Sequence, residues 1–64
     1  MNADELKVLI KKYNAQATQS KMDLHDLSEE LPLGWEKVLE QAQKTYDAYA
    51  RLSEARKQLA ALAN

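Results

Sequence analysis

Lys21-Met-Asp-Leu-His-Asp-Leu-Ser-Glu-Glu-Leu31, followed at once by Pro32-Leu33-Gly34, decides the fold of this 64-residue chain. The stretch ends one amphipathic run and supplies the one strong break in the sequence. The residue before a proline is pushed out of helical geometry, and a glycine two positions later lets the chain turn. Everything before the break reads as one helix and everything after it as a second. The connection is short, so the second helix should return antiparallel to the first.

Working back from the break, Leu31, Leu27, Leu24, Ser20, Ala17, Tyr13, Ile10 and Leu6 are separated alternately by four and three residues. That spacing places them on one stripe of a single helix. Val8, Leu9 and Met22 lie beside the stripe and widen it. Asn2 can cap the start by accepting from the amide of Glu5, whose side chain can reach back. Asp4 and Glu5 complement the positive end of the helix dipole.

Working forward, Trp35, Leu39, Ala42, Tyr46, Tyr49, Leu52, Ala55, Leu59 and Leu62 form a second periodic run. The expected boundaries are a helix over about 3–31, a turn over about 32–35 and a helix over about 36–62, all in one domain, 1–64. Residues 35–37 could instead form a short 3₁₀ turn, and Leu59–Asn64 should fray. Folding the run back as a hairpin sets Ala17 near Tyr49 and Ser20 near Tyr46, small against large, with Ser20 a candidate partner for a tyrosine hydroxyl. Trp35 would cap the end of the core. Glu40/Lys44 and Asp47/Arg51 are i, i+4 pairs suited to an outer face. Two helices alone leave the widening residues uncovered, so the expected architecture is all-α, an antiparallel two-helix hairpin dimerising into a four-helix bundle.

Composition narrows the function. There is no cysteine, so disulfides and thiolate metal sites are excluded. No apolar run approaches the ~20 residues a membrane span needs. The N-terminus lacks the basic start and apolar core of a signal peptide, and a cytoplasmic location is expected. The net charge of −1 argues against nucleic-acid binding driven by bulk charge. Lys7, Lys11, Lys12 and Lys21 make the first helix basic, but Lys12 points elsewhere and no aromatic is interleaved for base stacking. No glycine-rich phosphate loop and no nucleophile paired with a base is present, so an enzyme is not expected.

The candidate site is the acidic end of the first helix: Asp23, His25, Asp26, Glu29 and Glu30. A helix C-terminus is already partly negative, and Asp26 and Glu30 repel at i, i+4. A choice this unfavourable for stability suggests a partner surface, a cation or compensation by the second helix; the plain alternative is a solvated face. His25 and Glu29 lie one turn apart and could ligate a divalent metal weakly. The alternative is a boundary histidine bonded to Glu29 or to a partner chain. No other cofactor is expected.

Lys21-Met-Asp-Leu-His-Asp-Leu-Ser-Glu-Glu-Leu-Pro32, then Trp35, then Ala42-Gln-Lys-Thr-Tyr46, resembles the Rop-like family of small nitrogen-fixation proteins. The resemblance covers about Leu6 to Leu59. It implies two-helix hairpins that dimerise into rods like that of the plasmid RNA-binding protein Rop, and genes lying among those for nitrogenase cofactor assembly. It implies no reaction, and fold similarity does not carry RNA binding with it. The expected function is therefore a nitrogen-fixation accessory protein, a homodimeric interaction module bound to a nitrogen-fixation protein. An RNA-binding regulator and a metal carrier using His25 are the alternatives.

Overall fold

A computed structural model describes residues 1–63. Helix α1 spans Ala3–Glu30 and helix α2 spans Val38–Ala63, joined through a turn at residues 31–34 and a 3₁₀ turn at Trp35–Lys37. The helices lie antiparallel as a hairpin 47 Å long and about as thick as two helices, 15 × 14 Å.

Each boundary has a local cause. Asn2 has extended backbone and its Oδ1 accepts from Glu5 N at 2.8 Å, so the first turn of α1 is capped. The reciprocal bond from Glu5 to Asn2 is not formed. At the other end Leu31, ahead of the proline, takes ψ 141°, and the helix stops. The Leu31–Pro32 bond is cis. Leu33 N donates to Glu30 O, closing the turn. Gly34 then adopts φ 74°, the left-handed region that a side chain disfavours. A Cβ there would also meet Leu27 Cδ1 at 3.1 Å. Lys37 N donates to Gly34 O, and α2 begins at Val38 rather than at residue 36. It continues through Ala63, so Leu59–Ala63 of the segment expected to fray is helical; Asn64 lies outside the described residues.

The first-helix stripe lies at the hairpin seam. Leu6 and Ala17 are buried, and Ile10, Tyr13, Ser20, Leu24 and Leu27 are half-buried. Leu31 falls in the turn and is exposed. Helix α2 meets this seam with Val38, Gln41, Thr45, Ala48, Leu52, Ala55 and Leu59, which are buried or half-buried and alternate by three and four. Ala17, Ala48 and Leu52 form the centre, with Ile10 and Tyr13 packed against them.

The facing of α2 therefore differs from the sequence expectation over its first half. Tyr46 is 71% exposed, Leu39 84% and Trp35 67%. Ala17 meets Ala48 and Leu52 rather than a tyrosine ring, and Trp35 does not cap the core. Ser20 bonds Thr45 rather than a tyrosine hydroxyl: the two hydroxyls are 2.9 Å apart, and Gln41 Nε2 reaches Ser20 Oγ at 3.3 Å. Thr45 Oγ1 also bonds the Gln41 carbonyl at 2.9 Å. This half-buried polar layer satisfies its own members and fixes the axial register of the two helices.

Small residues at the centre explain the choice. Ala17 opposite Ala48 lets the two backbones approach closely, and a tyrosine at either position would hold them apart. The rings turn outward instead.

Candidate functional site

The end of α1 carries all five residues of the acidic segment on its solvent side; Asp23, His25, Asp26, Glu29 and Glu30 are exposed. Helical geometry brings His25 and Glu29 together, with Nε2 and Oε1 3.1 Å apart. The other ring nitrogen, Nδ1, lies 3.8 Å from Asp26 Oδ1. Asp23 points away and accepts from Gln19 Nε2 at 2.9 Å. Ser28 Oγ donates to the His25 carbonyl at 2.7 Å, which occupies one acceptor near the end of the helix. Glu30 serves through its backbone, accepting from Leu33 N.

The last turn of α1 holds no basic residue. Among the described residues, no lysine or arginine pairs with these carboxylates; the one Lys–carboxylate bridge is Lys44 to Glu40 at 3.3 Å on α2. The expected Asp47–Arg51 pair is not formed. Asp47 accepts from Gln43 instead, at 2.9 Å, and Arg51 lines a shallow hollow with Leu9 and Tyr13. The acids thus have no lysine or arginine partner among the described residues, beside the negative end of the helix dipole.

The chemistry open to this arrangement is limited by its ligand count. No group of three His, Cys, Asp or Glu side chains converges among the described residues. His25 and Glu29 offer two donors on an open surface, below the three or four protein ligands that hold zinc firmly. What the segment offers instead is a row of exposed hydrogen-bond acceptors, complementary to a cationic surface.

Lys7, Lys11, Lys12 and Lys21 are exposed; Lys7, Lys11 and Lys21 share one side of α1, and Lys12 lies about a quarter-turn away from them. No helix among the described residues is long and apolar enough to cross a membrane. Sequence reasoning missed a second feature, the large apolar side chains turned to solvent: Trp35 in the 3₁₀ turn and Leu39, Tyr46 and Tyr49 on α2. Its signal was present: the second periodic run steps by three three times in succession, from Tyr46 to Tyr49 to Leu52 to Ala55. That is where the run crosses from the outer face to the seam.

Comparison with known proteins places this geometry. A family model described as Rop-like matches residues 1–64. A UPF0437 protein of Azorhizobium caulinodans is 50% identical over 56 residues, covering 88% of this chain and 81% of the relative. A Frankia alni relative is 52% identical over 44 residues, covering 69% of this chain and 54% of that protein. Its name is UPF0437 protein in nifX-nifW intergenic region. An NMR structure solved by the Northeast Structural Genomics Consortium is 58% identical, with a TM-score of 0.89 over 97% of this chain and 87% of the other.

Proposed function

The chain belongs to the Rop-like family, and from that premise we propose that it is a non-enzymatic, self-associating interaction module that serves nitrogen fixation in the cytoplasm. Its partner is a protein of the nitrogenase or cofactor-assembly machinery with a basic surface. The observation that carries the reading is the row Asp23, Asp26, Glu29 and Glu30, without a lysine or arginine partner among the described residues, at a helix end that disfavours negative charge. The Frankia alni relative, named for a nifX-nifW intergenic region, supports the pathway.

His25 belongs to the same surface. Held by Glu29 at 3.1 Å, it presents its ring at the edge of the acidic row. It contributes to partner recognition rather than to a metal centre, because two exposed donors make a weak ligand set.

The test is affinity capture of the tagged chain from nitrogen-fixing cells, with mass spectrometry of what comes down. The expected result is a nitrogen-fixation protein whose capture weakens steeply with salt and with Asp26→Asn. Capture of RNA instead, or retention of stoichiometric metal that His25→Ala abolishes, would replace the module with one of its rivals. Capture unaffected by Asp26→Asn and His25→Ala would move the contact surface away from the end of α1.

A further inference from the structure

The side of α1 turned away from α2 carries a second apolar row. Met1, Val8, Ala15 and Met22 stand seven residues apart and so share one line along the helix. All four are exposed, Met1 and Val8 to 70% and Met22 to 54%. Val8 lies nine residues, or about two and a half turns, from Ala17 at the seam, which sets it on the opposite side. Val8 and Met22 therefore do not widen the seam, as their nearness to the stripe suggested. They belong to a separate face that the hairpin does not use.

The row has the form of half a coiled-coil seam. One apolar position in seven, kept for three steps, covers about 31 Å of the rod and drifts around the helix by about 20° per heptad. Charged side chains border it. Lys11 and Lys12 stand on either side of the stretch between Val8 and Ala15, where the flanking charges of a coiled coil stand. At one end the row opens into a hollow of about 320 Å³ lined by Met1, Glu5, Val8, Leu9 and Lys12. At the other end the next step of seven is Glu29, which holds His25 at 3.1 Å, with Asp26 and Glu30 around it. The row thus runs straight into the acidic segment.

These features select the occupant. A single apolar line bordered by charge fits one helix. It is too narrow for a sheet, and the acids at its end would be repelled by an anionic bilayer surface. A second copy of this chain does not complement it. Laid antiparallel about Ala15, a copy sets Asp26 level with Asp4, and both lysines level with the neutral Thr18 and Gln19. Laid parallel, it sets acid on acid, and like charges across an interface repel. The self-association proposed above has another face to use: α2 turns outward Leu39, Tyr46 and a hollow of about 450 Å³ beside Ser53 and Ala60.

Resting on the accessory-module reading above, we infer that α1 docks an amphipathic helix of its partner protein along Met1, Val8, Ala15 and Met22. That helix carries apolar residues at seven-residue spacing, lysines or arginines at the end that meets Asp26, Glu29 and Glu30, and an acid near Lys11 and Lys12. The acidic segment sets the direction of docking, and the apolar row supplies its area and register. Methionine at two of the four positions suits this surface, because its flexible side chain packs against varied shapes.

The chain has no cysteine, so Thr18→Cys, at the exposed edge of the row, takes a benzophenone label at that position alone. The labelled chain is irradiated in an extract of nitrogen-fixing cells, and the peptide joined to it is sequenced. The expected peptide comes from another protein, has apolar residues seven apart and is basic toward one end. Its yield should fall roughly tenfold in Val8→Gln and in Met22→Gln, each of which removes one apolar contact. Both positions are exposed and opposite the seam, so circular dichroism should show unchanged melting. No joined peptide, a peptide without that pattern, or one only from a second copy of this chain would overturn the proposal. Partner capture that is lost with Asp26→Asn but indifferent to Val8→Gln and Met22→Gln overturns the helix and leaves the acidic contact standing. Capture indifferent to all three overturns the acidic contact as well.

Discussion

On the side turned to α1, α2 carries Ala48, Leu52 and Ala55, buried and mostly small. On the side turned away it carries Leu39, Tyr46 and Tyr49, large and exposed. The inner face lets two backbones come close, and the polar layer of Ser20, Gln41 and Thr45 fixes how they slide. The outer face holds most of the apolar area of the helix and nothing within the hairpin covers it. Hydrophobic size is thus greatest where burial is least, the reverse of what a self-sufficient monomer would show. Close packing inside and apolar area outside are separate devices, and substitutions on the two faces should behave differently.

The largest effect within the hairpin is expected from Leu52→Ala. Its side chain is 2% exposed at the centre of the seam, and truncation should cost roughly 2–5 kcal/mol. Urea unfolding followed by circular dichroism measures it. Ala17→Leu comes next. Ala17 is fully buried against Ala48 and Leu52, so added volume must push the helices apart, costing about 1–3 kcal/mol in the same assay. If Ala17→Leu is neutral, the close approach of the helices is wrong.

Thr45→Val removes one hydroxyl from the polar layer while keeping its shape. The loss should be about 1 kcal/mol. The amide of Gln41 and the hydroxyl of Ser20 still have each other, which limits the damage. Asp26→Asn is the smallest change and has the opposite sign. It relieves repulsion with the helix dipole and with Glu30, and should raise stability by a few tenths of a kcal/mol. A clear loss on Asp26→Asn would show that the acids belong to an internal network rather than to a partner surface.

The hairpin itself was legible in the sequence because its signals are local. Asn2 caps, Pro32 stops and Gly34 turns, and each acts within a few residues of itself. The seam of α1 was legible too, since one apolar row dominates that helix. The facing of α2 was not. That helix bears two rows displaced by one residue, and the outer one, with Leu39 and Tyr46, outweighs the inner one, with Thr45 and Ala48, on any measure of side-chain size. What turns the inner row to the seam is the fit of Ala48 to Ala17 and of Thr45 to Ser20, a pairwise property that periodicity does not record. The His25–Glu29 contact followed directly from their spacing of four. The hollow beside Ser53 and Ala60 did not, because it depends on the heights of neighbouring side chains rather than on any one residue.

The most direct measurement is sedimentation equilibrium of Tyr46→Glu beside Val8→Glu at micromolar concentration. Both substitutions place a carboxylate at an exposed apolar position, Tyr46 71% and Val8 70% exposed. Neither touches the seam, so circular dichroism should show both still helical. The outer face of α2 as a self-interface predicts that Tyr46→Glu sediments as a single 7.3 kDa chain while Val8→Glu keeps twice that mass. A Tyr46→Glu protein that retains the dimer mass as fully as Val8→Glu would contradict it.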